Sequence, residues 1–122
     1  MAQKGAILKF QNITSGDMSA ATITSTISNI LFLDDIGFQL NWSGTSPVGT
    51  AAVEVSIDHA QDSQGVVTVA GTWTTLTSSA VSGNTGDIYF DIFATSAPWI
   101  RVKYTKTSGT GTLNCFMAGK AI

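Results

Sequence analysis

The sequence predicts an all-β fold: a two-sheet antiparallel β-sandwich, jelly-roll-like, with about eight strands. Three observations carry this. Apolar residues recur at every second position in short runs, and no segment of useful length shows the 3.6-residue period of a helix. Clusters of Gly, Ser, Asn and Pro punctuate the runs at short intervals. Thr and Ser supply about a quarter of the 122 residues, and β-branched Thr suits a pleated, half-buried surface.

Taken in order, the first run covers Ala6 to Thr14 and ends at Ser15-Gly16-Asp17, an edge or arm strand. Thr22 to Ser28 places β-branched residues in series; these lose χ1 freedom in a helix, so a short strand is expected. Ile30 to Leu33 is either one helical turn or a bend between sheets. Phe38, Leu40 and Trp42 share one face, and Ala51, Val53, Val55 and Ile57 share another; between them lies Ser43-Gly44-Thr45-Ser46-Pro47-Val48-Gly49. Such a cluster reads as a reversal, which predicts a hairpin over Gly37 to Asp58. Asp58 to Gly65 is a polar loop, Val66 to Ala70 and Thr72 to Leu76 are short strands, and Thr77 to Gly86 is a loop. Ile88, Phe90 and Ile92 then alternate with Asp87, Tyr89, Asp91 and Phe93, and Ala94 to Pro98 turns the chain. In the last stretch, Ile100, Val102 and Tyr104 oppose Trp99, Arg101 and Lys103. Gly109 and Gly111 suggest a reversal before Leu113, Cys115 and Met117, so a C-terminal hairpin over Trp99 to Ile122 is predicted.

The length fits one domain over residues 1–122, with 1–30 as an N-terminal arm or edge strand. Charged residues are 11% and apolar residues 43%, which opposes disorder. A net charge of −2 with dispersed basic residues speaks against nucleic-acid binding. No apolar run has the length of a membrane span or a signal-peptide core, so a soluble chain without membrane contact is expected. The lone Cys115 has no partner for an internal disulfide and reads as a small buried hydrophobe.

Catalytic and metal chemistry find little support. Asp58-His59-Ala60-Gln61-Asp62 gathers two carboxylates and the one histidine, but its spacing is not that of a calcium loop. Asp34 and Asp35 are adjacent and point apart on an extended chain. Asp87 and Asp91 share a strand face, yet four residues of strand separate their attachment points by roughly 13 Å, too far for a glycosidase pair. No Gly-x-Ser-x-Gly motif is present. The chain is therefore expected not to be an enzyme and to need no cofactor or metal.

Aromatic residues on otherwise polar faces are more informative. Trp99 lies with Arg101 and Lys103, and Tyr89 and Phe93 lie with Asp87 and Asp91. A monomer gains nothing by presenting these to water, so Trp99, Arg101, Lys103, Tyr89 and Phe93 are the candidate interface residues. Cover from within the fold is the other reading, and contact with further subunits is preferred.

The run from Gly37 to Thr50, with Val53-Glu54-Val55-Ser56-Ile57-Asp58, Gly71-Thr72-Trp73-Thr74-Thr75-Leu76, Trp99-Ile100-Arg101-Val102-Lys103-Tyr104 and Thr107 to Asn114, occurs in that order. Together these pieces resemble a small β-sandwich family of virion structural proteins of tailed bacteriophages, over about Gly37 to Lys120. The resemblance implies a capsid decoration or cement protein, or a minor head or tail component. Such a protein is made in the host cytoplasm, assembled as a homo-oligomer with other virion proteins, and located in the virion. A second reading is a carbohydrate-binding module of a phage fibre or bacterial surface protein, with Trp42, Trp73 or Trp99 stacked on a sugar ring.

Overall fold

The computed structural model describes residues 7–121. Among them the chain forms nine strands and no helix: β1 (Ile7–Asp17), β2 (Thr22–Thr24), β3 (Ser28–Asn29), β4 (Asp35–Ser56), β5 (Ala60–Gln61), β6 (Val67–Val69), β7 (Thr74–Val81), β8 (Thr85–Phe93) and β9 (Trp99–Lys120). The first six residues of the expected arm, and the predicted limits at Ala6 and Ile122, lie outside the described residues.

The all-β antiparallel sandwich is present, but its two central strands differ from the sequence expectation. β4 and β9 each run for 22 residues without reversing and pair with each other antiparallel from Asp35–Lys120 to Ser56–Trp99. Neither the hairpin over Gly37 to Asp58 nor the C-terminal hairpin forms. The two glycine-rich clusters that read as turns lie opposite one another, and there the paired ribbon crosses from one layer to the other.

Each strand carries one surplus residue at this crossing. Between Thr45–Thr110 and Val48–Ser108 β4 advances three residues against two, and between Val48–Ser108 and Gly49–Lys106 β9 advances two against one. A bulge of one residue moves the inward set to the other parity. β4 accordingly buries Ile36, Phe38, Leu40 and Trp42 before the crossing and Ala51, Val53 and Val55 after it; β9 buries Ile100, Val102 and Tyr104, then Leu113, Cys115 and Met117. The inward sets are those predicted from alternation, and the bulges allow one continuous strand to supply both.

Two four-stranded layers result. In the first, β4 residues 35–43 lie between β8 and β9 residues 112–120, with β1 beyond on the edge. In the second, β4 residues 49–56 lie between β7 and β9 residues 99–105, with β2 and β3 as a broken edge strand. The inner faces form one hydrophobic cluster that includes Ile13, Met18, Ile30, Phe90 and Ile92. The expected strand over Thr22 to Ser28 breaks at Ser25, whose hydroxyl accepts the Val102 amide at 2.8 Å and replaces a strand bond. Ile30 to Leu33 is a turn, closed by the Leu33 amide on the Ile30 carbonyl at 3.0 Å.

Thr77 to Gly86 is mostly strand, not loop. Thr77, Ser78 and Ser79 lie on β7, the edge strand of the second layer, where no apolar alternation is required, and Val81 alone enters the core. Ile57, assigned to the inward set, is exposed, because β4 ends at Ser56 and the pleat no longer fixes its direction.

Candidate functional site

The outer face of the second layer carries Trp99, Arg101 and Lys103, all half-buried. Trp99 and Arg101 meet groups from within the chain. The segment between β4 and β7 leaves the sheet, forms the β5–β6 hairpin, and returns over this face. His59 is buried there between two indoles, 5.3 Å from the Trp73 ring and 4.9 Å edge-on to Trp99. Its Nδ1 donates to the Ala70 carbonyl at 2.9 Å and its Nε2 takes the Gln61 amide at 3.0 Å. Arg101 lies 4.2 Å over the Trp73 ring and donates from Nε to Glu54 at 2.8 Å. Cover within the fold, the reading set second from sequence, accounts for Trp99 and Arg101.

The same segment engages the side chains of the Asp58-His59-Asp62 cluster within the chain. Asp58 accepts from the Ser56 hydroxyl at 2.9 Å and from the Thr72 amide at 2.7 Å, which hold its carboxyl below the ordinary value. Asp62 accepts the Gln64 and Val66 amides, each at 2.9 Å, and so fixes the β5–β6 turn. Both ring nitrogens of His59 are already engaged. Among the described residues no three His, Cys, Asp or Glu side chains gather to hold a metal ion.

None of the three tryptophans lies flat on an open surface. Trp42 is buried and donates its indole N–H to the Gly83 carbonyl at 3.2 Å; Trp73 and Trp99 are engaged with His59 and Arg101. The placement required for sugar stacking on Trp42, Trp73 or Trp99 is not met.

The open aromatics are elsewhere. Tyr89 and Phe93 project from β8 on the outer face of the first layer, 66% and 67% exposed. Phe93 stands at the end of the sandwich opposite the ribbon crossing. There the Ala94 amide donates to the Asp34 carbonyl at 2.8 Å, which brings the end of β8 beside the 30–34 turn. That end also presents Phe32, 88% exposed, Ile57, 73%, and Leu31, 62%. Leu31 and Phe32 were legible as an apolar run, but not as an exposed one: the turn points them outward while Ile30 enters the core.

Asp91 has a partner that same-strand spacing did not reveal. Across the β4–β8 ladder Asp91 opposes Gly37, which makes Asp35 its diagonal neighbour. A hydrogen bond with the Asp35 carboxyl, then partial desolvation and mutual repulsion, raise Asp91 above the ordinary carboxylate value. Lys120, 4.0 Å from Asp35, moderates this.

No family model matches the sequence, and no curated protein matches it. Solved structures share the fold. The SPBc2 prophage-derived protein YomS superposes with a TM-score of 0.55 at 12% identity, over 99% of this chain and 98% of its own. The structure of infectious bursal disease virus Gx strain matches at a TM-score of 0.59 and 12% identity, over 98% of this chain. The VP2 subviral particle of that virus matches at a TM-score of 0.53 and 11% identity, over 96% of this chain. The chain spans about a third of each of those two viral chains, at 32%, and nearly the whole of YomS. It is thus similar in fold to a prophage protein and to a part of chains from a viral particle.

Proposed function

We propose that the chain is a structural component of a phage particle, a capsid decoration or cement protein or a minor head or tail component, whose function is adhesion to neighbouring subunits. The observation that carries this is the apolar end of the sandwich. Leu31, Phe32, Ile57 and Phe93 stand in solvent at one pole, away from the ribbon crossing, although the core is otherwise closed. Covering a Phe, Leu or Ile side chain fully stabilises a contact by roughly 1.5–3 kcal/mol, so these four residues are the natural anchors of such a contact. The shared fold with a prophage protein and with viral particle proteins supports the reading, as does the resemblance of the Gly37 to Lys120 pieces to phage virion proteins.

Mass spectrometry of purified particles tests it. The chain is expected in stoichiometric amount in wild-type particles, and the paired substitution Phe32→Ser and Phe93→Ser is expected to lower its copy number severalfold without unfolding the free protein. Its absence from purified particles would overturn the proposal.

A further inference from the structure

The outer face of the first layer holds a trough whose construction can be followed in the strand register. On this face Ala118 of β9 and Gly37 of β4 are direct neighbours, and the row continues to Lys9 of β1 on one side and Asp91 of β8 on the other. Two of the smallest side chains thus stand side by side between two long or charged ones, which makes a floor. The row on one side places Phe116, Gln39 and Tyr89 next to one another as a wall. The row on the other side places Lys120 beside Asp35. The trough is open to solvent along its length and has a volume of about 420 Å3, within the range of about 300–1,000 Å3 common to small-molecule sites. Tyr89 leans in over Gly37: a methyl group added there would meet its hydroxyl at 3.1 Å and its ring at 3.2 Å.

From this geometry we infer that the trough is a binding site for a neutral saccharide of one or two rings, stacked against Tyr89 and Phe116 and hydrogen-bonded through its hydroxyls to Asp35, Asp91 and Gln39. A sugar ring has an apolar C–H face and a rim of hydroxyls that both donate and accept. The trough matches each part: aromatic walls for the face, carboxylate acceptors, an amide that does both, and the donors Lys9 and Lys120 at its margins. Charge argues for a neutral ligand. The two lysines oppose a cation and the two carboxyls oppose an anion, while Lys120 already lies 4.0 Å from Asp35. The Asp35 and Asp91 carboxyls, diagonal neighbours across the β4–β8 ladder, both line the trough and offer acceptors to ligand hydroxyls.

The trough adjoins the apolar end, since Phe93 is the register partner of Asp35 in its wall, but neither reading rests on the other and each is tested through different residues. An immobilised glycan array, followed by amide NMR titration of the folded protein with the best binder and with maltose, cellobiose, lactose and N,N′-diacetylchitobiose, tests it. Saturable shifts are expected at Gly37, Tyr89, Asp91 and Ala118, with core signals such as Val102 unmoved. Tyr89→Ala should weaken binding about tenfold or more. Ala118→Leu, an exposed position that fills the floor, should abolish it with the fold intact. A blank array together with no shift from the four disaccharides would overturn the inference, as would binding that survives both substitutions.

Discussion

Gly109 of β9 lies directly against the backbone carbonyl of Ser46 in β4, at the point where the paired ribbon passes between layers. Gly109 has φ +82° and Ser46 φ +48°, so both strands take left-handed steps there, and a Cβ on Gly109 would overlap the Ser46 carbonyl. The crossing therefore depends on glycine twice, for the dihedral and for the close approach.

Gly109→Ala should cost about 3 kcal/mol, from roughly 1–2 for a left-handed Ala and a further 1–3 for the overlap. Gly65→Ala provides the comparison. That residue has φ +83° with nothing nearer its added methyl than Gln61 at 3.9 Å, so it should lose only about 1 kcal/mol. Urea denaturation of both variants measures the difference; equal losses would mean that the approach to Ser46 has no energetic weight.

Arg101 holds Trp73, and with it the segment that covers the outer face of the second layer. Arg101→Ala should therefore act locally, at about 1 kcal/mol in global stability. It should also give a clear rise in proteolytic cleavage and amide exchange between residues 60 and 70. Exchange that rises equally in β4 would show that the cover is not a separable unit.

Acid should loosen the same segment through Asp58. Its carboxyl is held below the ordinary 3.8 by the Thr72 amide and the Ser56 hydroxyl. A depressed folded-state value means stability that is present above the unfolded value and lost as pH falls through the folded one. The stability of wild-type protein should thus decline below about pH 4, and Asp58→Asn should flatten that decline while lowering stability at neutral pH. An unchanged slope in the variant would remove Asp58 from the account.

Cys115 is enclosed in the first layer, and burial pushes its thiol up to about 12. It should resist a thiol reagent such as DTNB at pH 8 in native protein, reacting only as fast as the molecule opens, and react at once in denaturant. Rapid labelling of native protein would contradict the packing of Leu113, Cys115 and Met117.

The layers were legible in the sequence because a half-buried strand writes its burial in every second residue: the inward sets of β4, β8 and β9 follow directly. The connectivity was not. A Gly-rich cluster serves equally at a reversal and at a bulge, since both need a left-handed residue, and only the facing cluster on the partner strand distinguishes them. Ser43 to Gly49 and Thr107 to Gly111 are such a pair, some sixty residues apart in the chain. The candidate residues divided for a similar reason. Alternation placed Trp99 and Arg101 on the outer face, but nothing local shows that His59 and Trp73 come back to cover them. Tyr89 and Phe93 had no such cover to acquire. The Asp35–Asp91 pair and the Gly37–Ala118 floor are properties of cross-strand register, which a single strand does not carry.

Hydroxyl-radical footprinting of the free protein and of intact particles tests the central claim most directly, because it reports on the individual side chains said to make the contact. Phe32, Phe93 and Leu31 should be oxidised readily in the free protein and protected severalfold in the particle, while Val66 on the β5–β6 turn changes little. Equal oxidation of Phe32 and Phe93 in both samples would contradict it.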